Sequence, residues 1–174
     1  MTFLLAAGGQ PLSRYLDKTG DGTGDTDMNE DYSGGGGQEF LLAPAATETL
    51  VVERLIILIQ DAALVADQYG GLGSALSNGV SVFLRNGKGE ILNLLNGVPV
   101  KTNEQWAGVT HDRVRGAYGS ATLEALSFRW TFGSHFGSPL MLRGALGEKL
   151  VVHYEDDLSG LMSQRIMAGG KKVA

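Results

Sequence analysis

The chain has no cysteine. Disulfide staples, thiolate metal sites and a cysteine nucleophile are therefore excluded, and stability has to come from packing or association. A concentration of basic charge is missing as well: 14 Lys and Arg against 19 Asp and Glu leave a net charge of −5, whereas a duplex-binding surface needs clustered cations to neutralise phosphate. The basic pair Lys171-Lys172 is too short to supply one, so no nucleic-acid partner is expected. Nor does any apolar run approach the ~20 residues that span a bilayer. A soluble chain with no membrane partner is the expectation. Residues 1–7, MTFLLAA, are apolar but lack the positive flank and the length of a secretory signal; they read as an interface peptide or a short strand.

Catalytic and cofactor signatures are absent in the same way. His111, His135 and His153 are too scattered for a helical metal motif. His111-Asp112 has the chemistry of an oriented base, but no GxSxG elbow or other activated nucleophile accompanies it. Gly87-Lys88 and Gly170-Lys171 lack the Ser or Thr and the upstream glycine of a phosphate loop. The expectation is a protein that is not an enzyme and needs no cofactor.

What the sequence does contain is an acidic, glycine-rich stretch, LDKTGDGTGDTDMNEDYSGGGGQEF over residues 16–40. Such composition buries too little apolar surface to order itself, so residues 1–38 are expected to form an extended arm shaped by partner surfaces. Its candidate contact residues are Phe3, Leu4, Leu5, Tyr15, Leu16 and Tyr32. Asp17, Asp21 and Asp25 are spaced like positions 1, 5 and 9 of a calcium loop, with Gly22 at the sharp turn. Thr19 at the third position and Met28 in place of the bidentate glutamate break the pattern, and the rival reading is a solvated linker held by Asx turns. Gly34 to Gly37 read as a hinge between arm and body.

Behind the arm the pattern is that of strands. The 26 glycines, about twice the usual ~7%, fit a chain with many turns. Residues 49–60, TLVVERLIILIQ, are almost continuously apolar and read as a strand buried on both faces, with a buried helix as the rival. Residues 80–85 and 90–95 form a hairpin across NGKG. Val98-Pro99-Val100 reads as an edge strand.

In ALSFRWTF, residues 125–132, Leu126, Phe128, Trp130 and Phe132 share one face; core packing is favoured over a carbohydrate-stacking platform. Trp106, in a short polar turn, is placed as a cap on the sandwich or a partner contact. Strands follow at 150–154 and 162–168, and helical pieces at 61–69 and 103–106. The fold class is all-β: an antiparallel β-sandwich or jelly-roll-like body over residues 39–168, an arm at 1–38 and a short tail at 169–174.

A succession of phrases runs through nearly the whole chain: YLD…GDGTG…DYS over 15–33, a hydrophobic strand ending at Asp61, NGV at 78–80, LNGVPVKTNEQW at 95–106, FRWTF at 128–132, L.GALGEKL at 142–150 and EDDLSGL at 155–161. In this order they resemble a family of small structural proteins of tailed-bacteriophage virions. The resemblance implies a non-enzymatic building block present in many copies and located in the virion after assembly in the bacterial host cytoplasm. Its partners would be other virion proteins, the major capsid protein first among them, and copies of itself. A capsid decoration or cement protein is the first reading and a neck, tail or fibre-attachment component the second. A carbohydrate-binding or hydrolytic host-recognition module is a third, requiring exposed tryptophan and a carboxylate pair, for which Glu155, Asp156 and Asp157 are the nearest supply.

Overall fold

A computed structural model describes residues 9–110, 112–118 and 120–173, the side chains of 112–122 excepted. In chain order the elements are β1 (Gln10–Tyr15), β2 (Gln38–Leu42), β3 (Thr49–Asp61), β4 (Ser81–Arg85), β5 (Ile91–Asn93), α1 (Asn103–Val109), β6 (Asp112–Tyr118), β7 (Ser120–Thr131), α2 (Phe132–Phe136), β8 (Leu140–Arg143), β9 (Lys149–Tyr154) and β10 (Ser163–Val173), with a 3-10 turn at Gly144–Leu146 before β9. The strands form two antiparallel sheets. One runs β1-β10-β3-β7-β6, with β8 pairing the opening residues of β3; the other runs β2-β9-β4-β5. Packed face to face they make a β-sandwich-like body, as the strand pattern leads one to expect.

The core lies between the sheets. Leu50, Val52, Leu55, Ile57 and Ile59 of β3, Phe128 and Trp130 of β7 and Ile166 of β10 meet Phe40, Leu42, Val82, Leu150, Val152 and Tyr154 from the opposite sheet, all fully buried. Each such side chain stabilises the fold by about 1.5–3 kcal/mol relative to exposure. Trp130 and Phe132 pack edge-to-face with ring centroids 5.2 Å apart, so the alternating aromatics are core and offer no stacking platform.

The long apolar strand differs from its sequence reading. β3 alternates on either side of Glu53-Arg54, and only one face is sealed; Ile56 and Leu58 on the other are half-buried. The phase shifts at Glu53-Arg54 because β10 skips a position there: Gly169 pairs Arg54 and Gly170 pairs Val52. This β-bulge keeps the apolar residues inward on both sides of the charged pair. A Cβ on Gly170 would lie 2.0 Å from the Val51 carbonyl oxygen, so glycine is required at the crossing.

Residues 61–69 are not helical. Asp61 ends β3, its carboxylate accepts from the amides of Ala62 and Gly71, and the Asn103 side chain bonds Val65 and Gly70. Side-chain competition for backbone groups holds an open loop where apolar spacing suggested a helix. The helix expected at 103–106 is present as α1 and one turn longer, capped by the Thr102 hydroxyl accepting from Gln105 N. The hairpin across NGKG is β4-β5, with Leu84 opposite Leu92. Val98-Pro99-Val100 contributes only a single bridge, Val80 with Val100.

The largest departure concerns the supposed arm. β1 pairs β10 along its whole length, and β10 continues to Val173 through the expected tail. Beyond β1 the chain runs as a strap along one side of the sandwich. It is pinned by backbone bonds from Leu16 N to Ile166 O, Met28 N to Gln164 O and Tyr32 N to Asp156 O, and by a bridge between Asp17 and Leu41. Leu16 and Met28 are completely buried and Tyr32 nearly so. Composition alone misses this because a few anchors and the neighbouring strands suffice to hold a polar segment. The four glycines form a closed turn, Gly37 N to Gly34 O at 3.3 Å, that delivers β2 to the sheet.

Candidate functional site

The carboxylates of Asp17, Asp21 and Asp25 face their own loop, whereas Asp27 accepts from Gln164 N and the Ser163 hydroxyl on β10, each at 3.0 Å. Asp17, fully buried, accepts from the amide of Gly20 through one oxygen and from Gly24 N at 2.8 Å through the other. The Thr19 hydroxyl sits between Asp17 Oδ1, at 3.0 Å, and Asp21 Oδ1, at 2.6 Å. Asp21 also receives the Thr23 hydroxyl and amide, at 2.6 and 2.9 Å. These donors, Thr19 foremost and then Thr23, hold its carboxyl down at about 2. Asp25 caps Asp27 N instead. Asx-type turns therefore organise the segment, and Met28, at the position a calcium loop gives to glutamate, is a core anchor. Among the described residues no three acidic or histidine side chains converge as a metal site would require.

The carboxylates at 155–157 take separate tasks. Asp156 is almost buried and accepts from the amides of Ser77, at 2.7 Å, Asn78, at 3.1 Å, and Gly79, at 2.7 Å. Asp157 caps Ser159, and Glu155 lies 3.7 Å from His153 at the surface. No acid–base pair is assembled from them. His153 also contacts the Gly36 carbonyl at 3.1 Å, and His135 stacks edge-on against Trp130. His111 and the Asp112 side chain lie outside the described residues, as do Phe3, Leu4 and Leu5.

Sequence reading missed the polar centre of the sandwich. Gln164, buried, accepts from the Tyr69 hydroxyl at 2.7 Å and donates to the Tyr154 hydroxyl. Burial pushes the Tyr69 phenol up to about 12 and raises that of Tyr154 well above its ordinary value. Nothing local marks these three residues, which are brought together by distant strands.

Of the expected contact residues, Tyr15 is partly exposed, whereas Leu16 and Tyr32 belong to the core. Trp106 caps the sandwich and is completely buried. The exposed apolar side chains gather elsewhere. Ile91 and Leu92 on β5 are 59% and 61% exposed, and Leu146 in the 3-10 turn is 50% exposed. Leu146 is tied to the β4-β5 turn by Gly87 N to Leu146 O, 2.9 Å.

Beside them lies a groove of about 260 Å³ lined by Leu84, Ile91, Leu92 and Leu142. On its polar rim Arg85 grips Glu39 through two bonds, 2.8 and 2.5 Å, Arg143 grips Glu148 at 2.5 and 2.9 Å, and Glu90 accepts from the Asn86 side chain at 2.6 Å. The groove therefore offers apolar contact at a sheet edge and no reactive group. A second hollow of about 400 Å³ is lined by Leu94, Val98, Pro99, Val109 and His135.

No protein-family model matches the chain, and neither a curated protein nor a solved structure does.

Proposed function

We propose that this chain is a non-enzymatic structural protein of tailed-bacteriophage particles, a jelly-roll-like decoration or cement protein that binds the capsid and other copies of itself. The observation that carries the reading is where the phrases of the resemblance meet. The DYS phrase, NGV and EDDLSGL come together along the strap: Asp156 holds residues 77–79, Tyr32 N bonds Asp156 O, Leu158 N bonds Glu30 O, and Asp31 bridges Asp157. Residues that look chemically able are engaged in shaping loops, which suits a building block. The carbohydrate-binding alternative loses its platform, since both tryptophans are fully buried.

Purified particles, digested and quantified against a labelled standard of this chain, test the proposal. Hundreds of copies per particle are expected for a shell protein. One or two rings' worth would move it to the neck or tail, and absence from particles, or turnover of a substrate by the pure protein, would end the proposal.

A further inference from the structure

We infer that the groove beside β5 receives residues 1–8 of a second copy of this chain, added to the sheet edge as a strand with Phe3, Leu4 and Leu5 against Ile91, Leu92 and Leu146. The inference deepens the multi-copy reading above by naming a partner and both halves of the contact. β5 is bonded to β4 on one side, and among the described residues no strand occupies its other side. An open edge flanked by exposed apolar side chains is what strand addition uses, backbone bonds supplying affinity and alternate side chains specificity. Ion pairing of Arg85 and Arg143 within the same chain leaves the groove apolar in character, and the segment MTFLLAAG matches it in having no charged side chain.

Reach decides for a second copy over the same chain. Gly9 lies against Lys172 and Val173. Across the sheet Val173 pairs Thr49, and Thr49 pairs Arg143. From Gly9 to the strand nearest the groove is therefore three strand spacings, about 14 Å, and the groove lies further on, toward the opposite sheet. The four residues from Leu5 to Gly9 span at most about 14 Å, so a copy's own Leu5 falls short of Ile91 and Leu92, and a strand carrying Phe3, Leu4 and Leu5 together cannot lie against them. Yet the point where the segment leaves and the Gly87–Leu146 contact are at the same end of the sandwich. Two copies abutting by that end place each segment beside the other's groove.

The absence of native cysteine makes the contact directly readable. Full-length Leu4→Cys protein is mixed with isotope-labelled Leu92→Cys protein under mild oxidation, with Val65→Cys, exposed in the loop that follows β3, as the control acceptor. A disulfide between positions 4 and 92 requires close approach of the two backbones, and an excess of roughly tenfold over the 4–65 pair is expected. Equal yields of the two pairs, or no 4–92 product, would overturn the inference. In parallel, Leu92→Asp in the wild-type background should turn a dimer into a monomer with an unchanged circular dichroism spectrum; a wild-type protein that sediments as a monomer throughout would also overturn it. These readouts come from the pure protein, so their failure is distinct from absence of the chain from particles.

Discussion

Asp156 shows how a buried charge is made tolerable at the scale of one residue. Its two oxygens accept three backbone amides from residues 77–79, replacing the water lost on burial. Asp156→Ala removes the acceptor and strands those amides, at a cost of about 3 kcal/mol. For a chain of this size that is a fall of roughly 6–12 °C in melting temperature, to be checked by calorimetry.

The acid response follows from other carboxylates. Hydrogen bonds from Thr19 and then Thr23 depress Asp21 to about 2, a bond from Lys172 lowers Glu48, and a bond from Arg143 lowers Glu148. A depressed folded value means stability that is complete above the unfolded value, ~4 for such groups, and lost as pH falls through the folded one. Melting temperature should be level from neutrality to about pH 5 and decline from there toward about pH 2. The individual contributions are small because Asp21 is exposed and the other two carboxylates pair at the surface with partly exposed cations. Thr19→Val should raise the Asp21 value toward that of an ordinary aspartate, which an NMR titration of its carboxyl would show.

At the scale of elements, the strap is where expectation and structure part. A solvated linker would tolerate Met28→Ala within about 0.5 kcal/mol. Met28 is completely buried beside Gln164, and the same change should cost about 2–5 kcal/mol in urea unfolding. Gly170→Ala should be costly as well, because the Val51 carbonyl occupies the space of the new methyl group.

The strands that carry their own signal were legible: the β4-β5 hairpin from its turn residues, β7 from its alternating aromatics, β9 from its apolar run. β1, β6 and β8 were not. QPLSRY, which becomes β1, has weak β-character, and its status as a strand is conferred by β10. The Gln164–Tyr69–Tyr154 centre was invisible for the same reason, since each member is unremarkable beside its sequence neighbours. The interaction groove escaped notice too: Ile91 and Leu92 looked like strand interior, and only the sheet order shows that their strand is an edge.

At the scale of the whole molecule, a sandwich whose chemically able side chains are engaged in loop geometry, and which exposes apolar side chains beside an open strand edge, is suited to repetition. Under the proposed function the copies are numerous and alike, and the number per particle separates a shell position from an axial one. If the segment exchange inferred here operates, each copy both gives and receives, and small contacts multiply into a stable lattice.

One further property follows from the place of β10 between β1 and β3. Ser13 meets Met167 at a sequence separation of 154, so β1 waits for its strand partner among the described residues until β10 has been made. Closure of that sheet is a late event, and a nascent polypeptide halted anywhere before residue 163 is left with one edge of β3 unpaired, a ready client for chaperones.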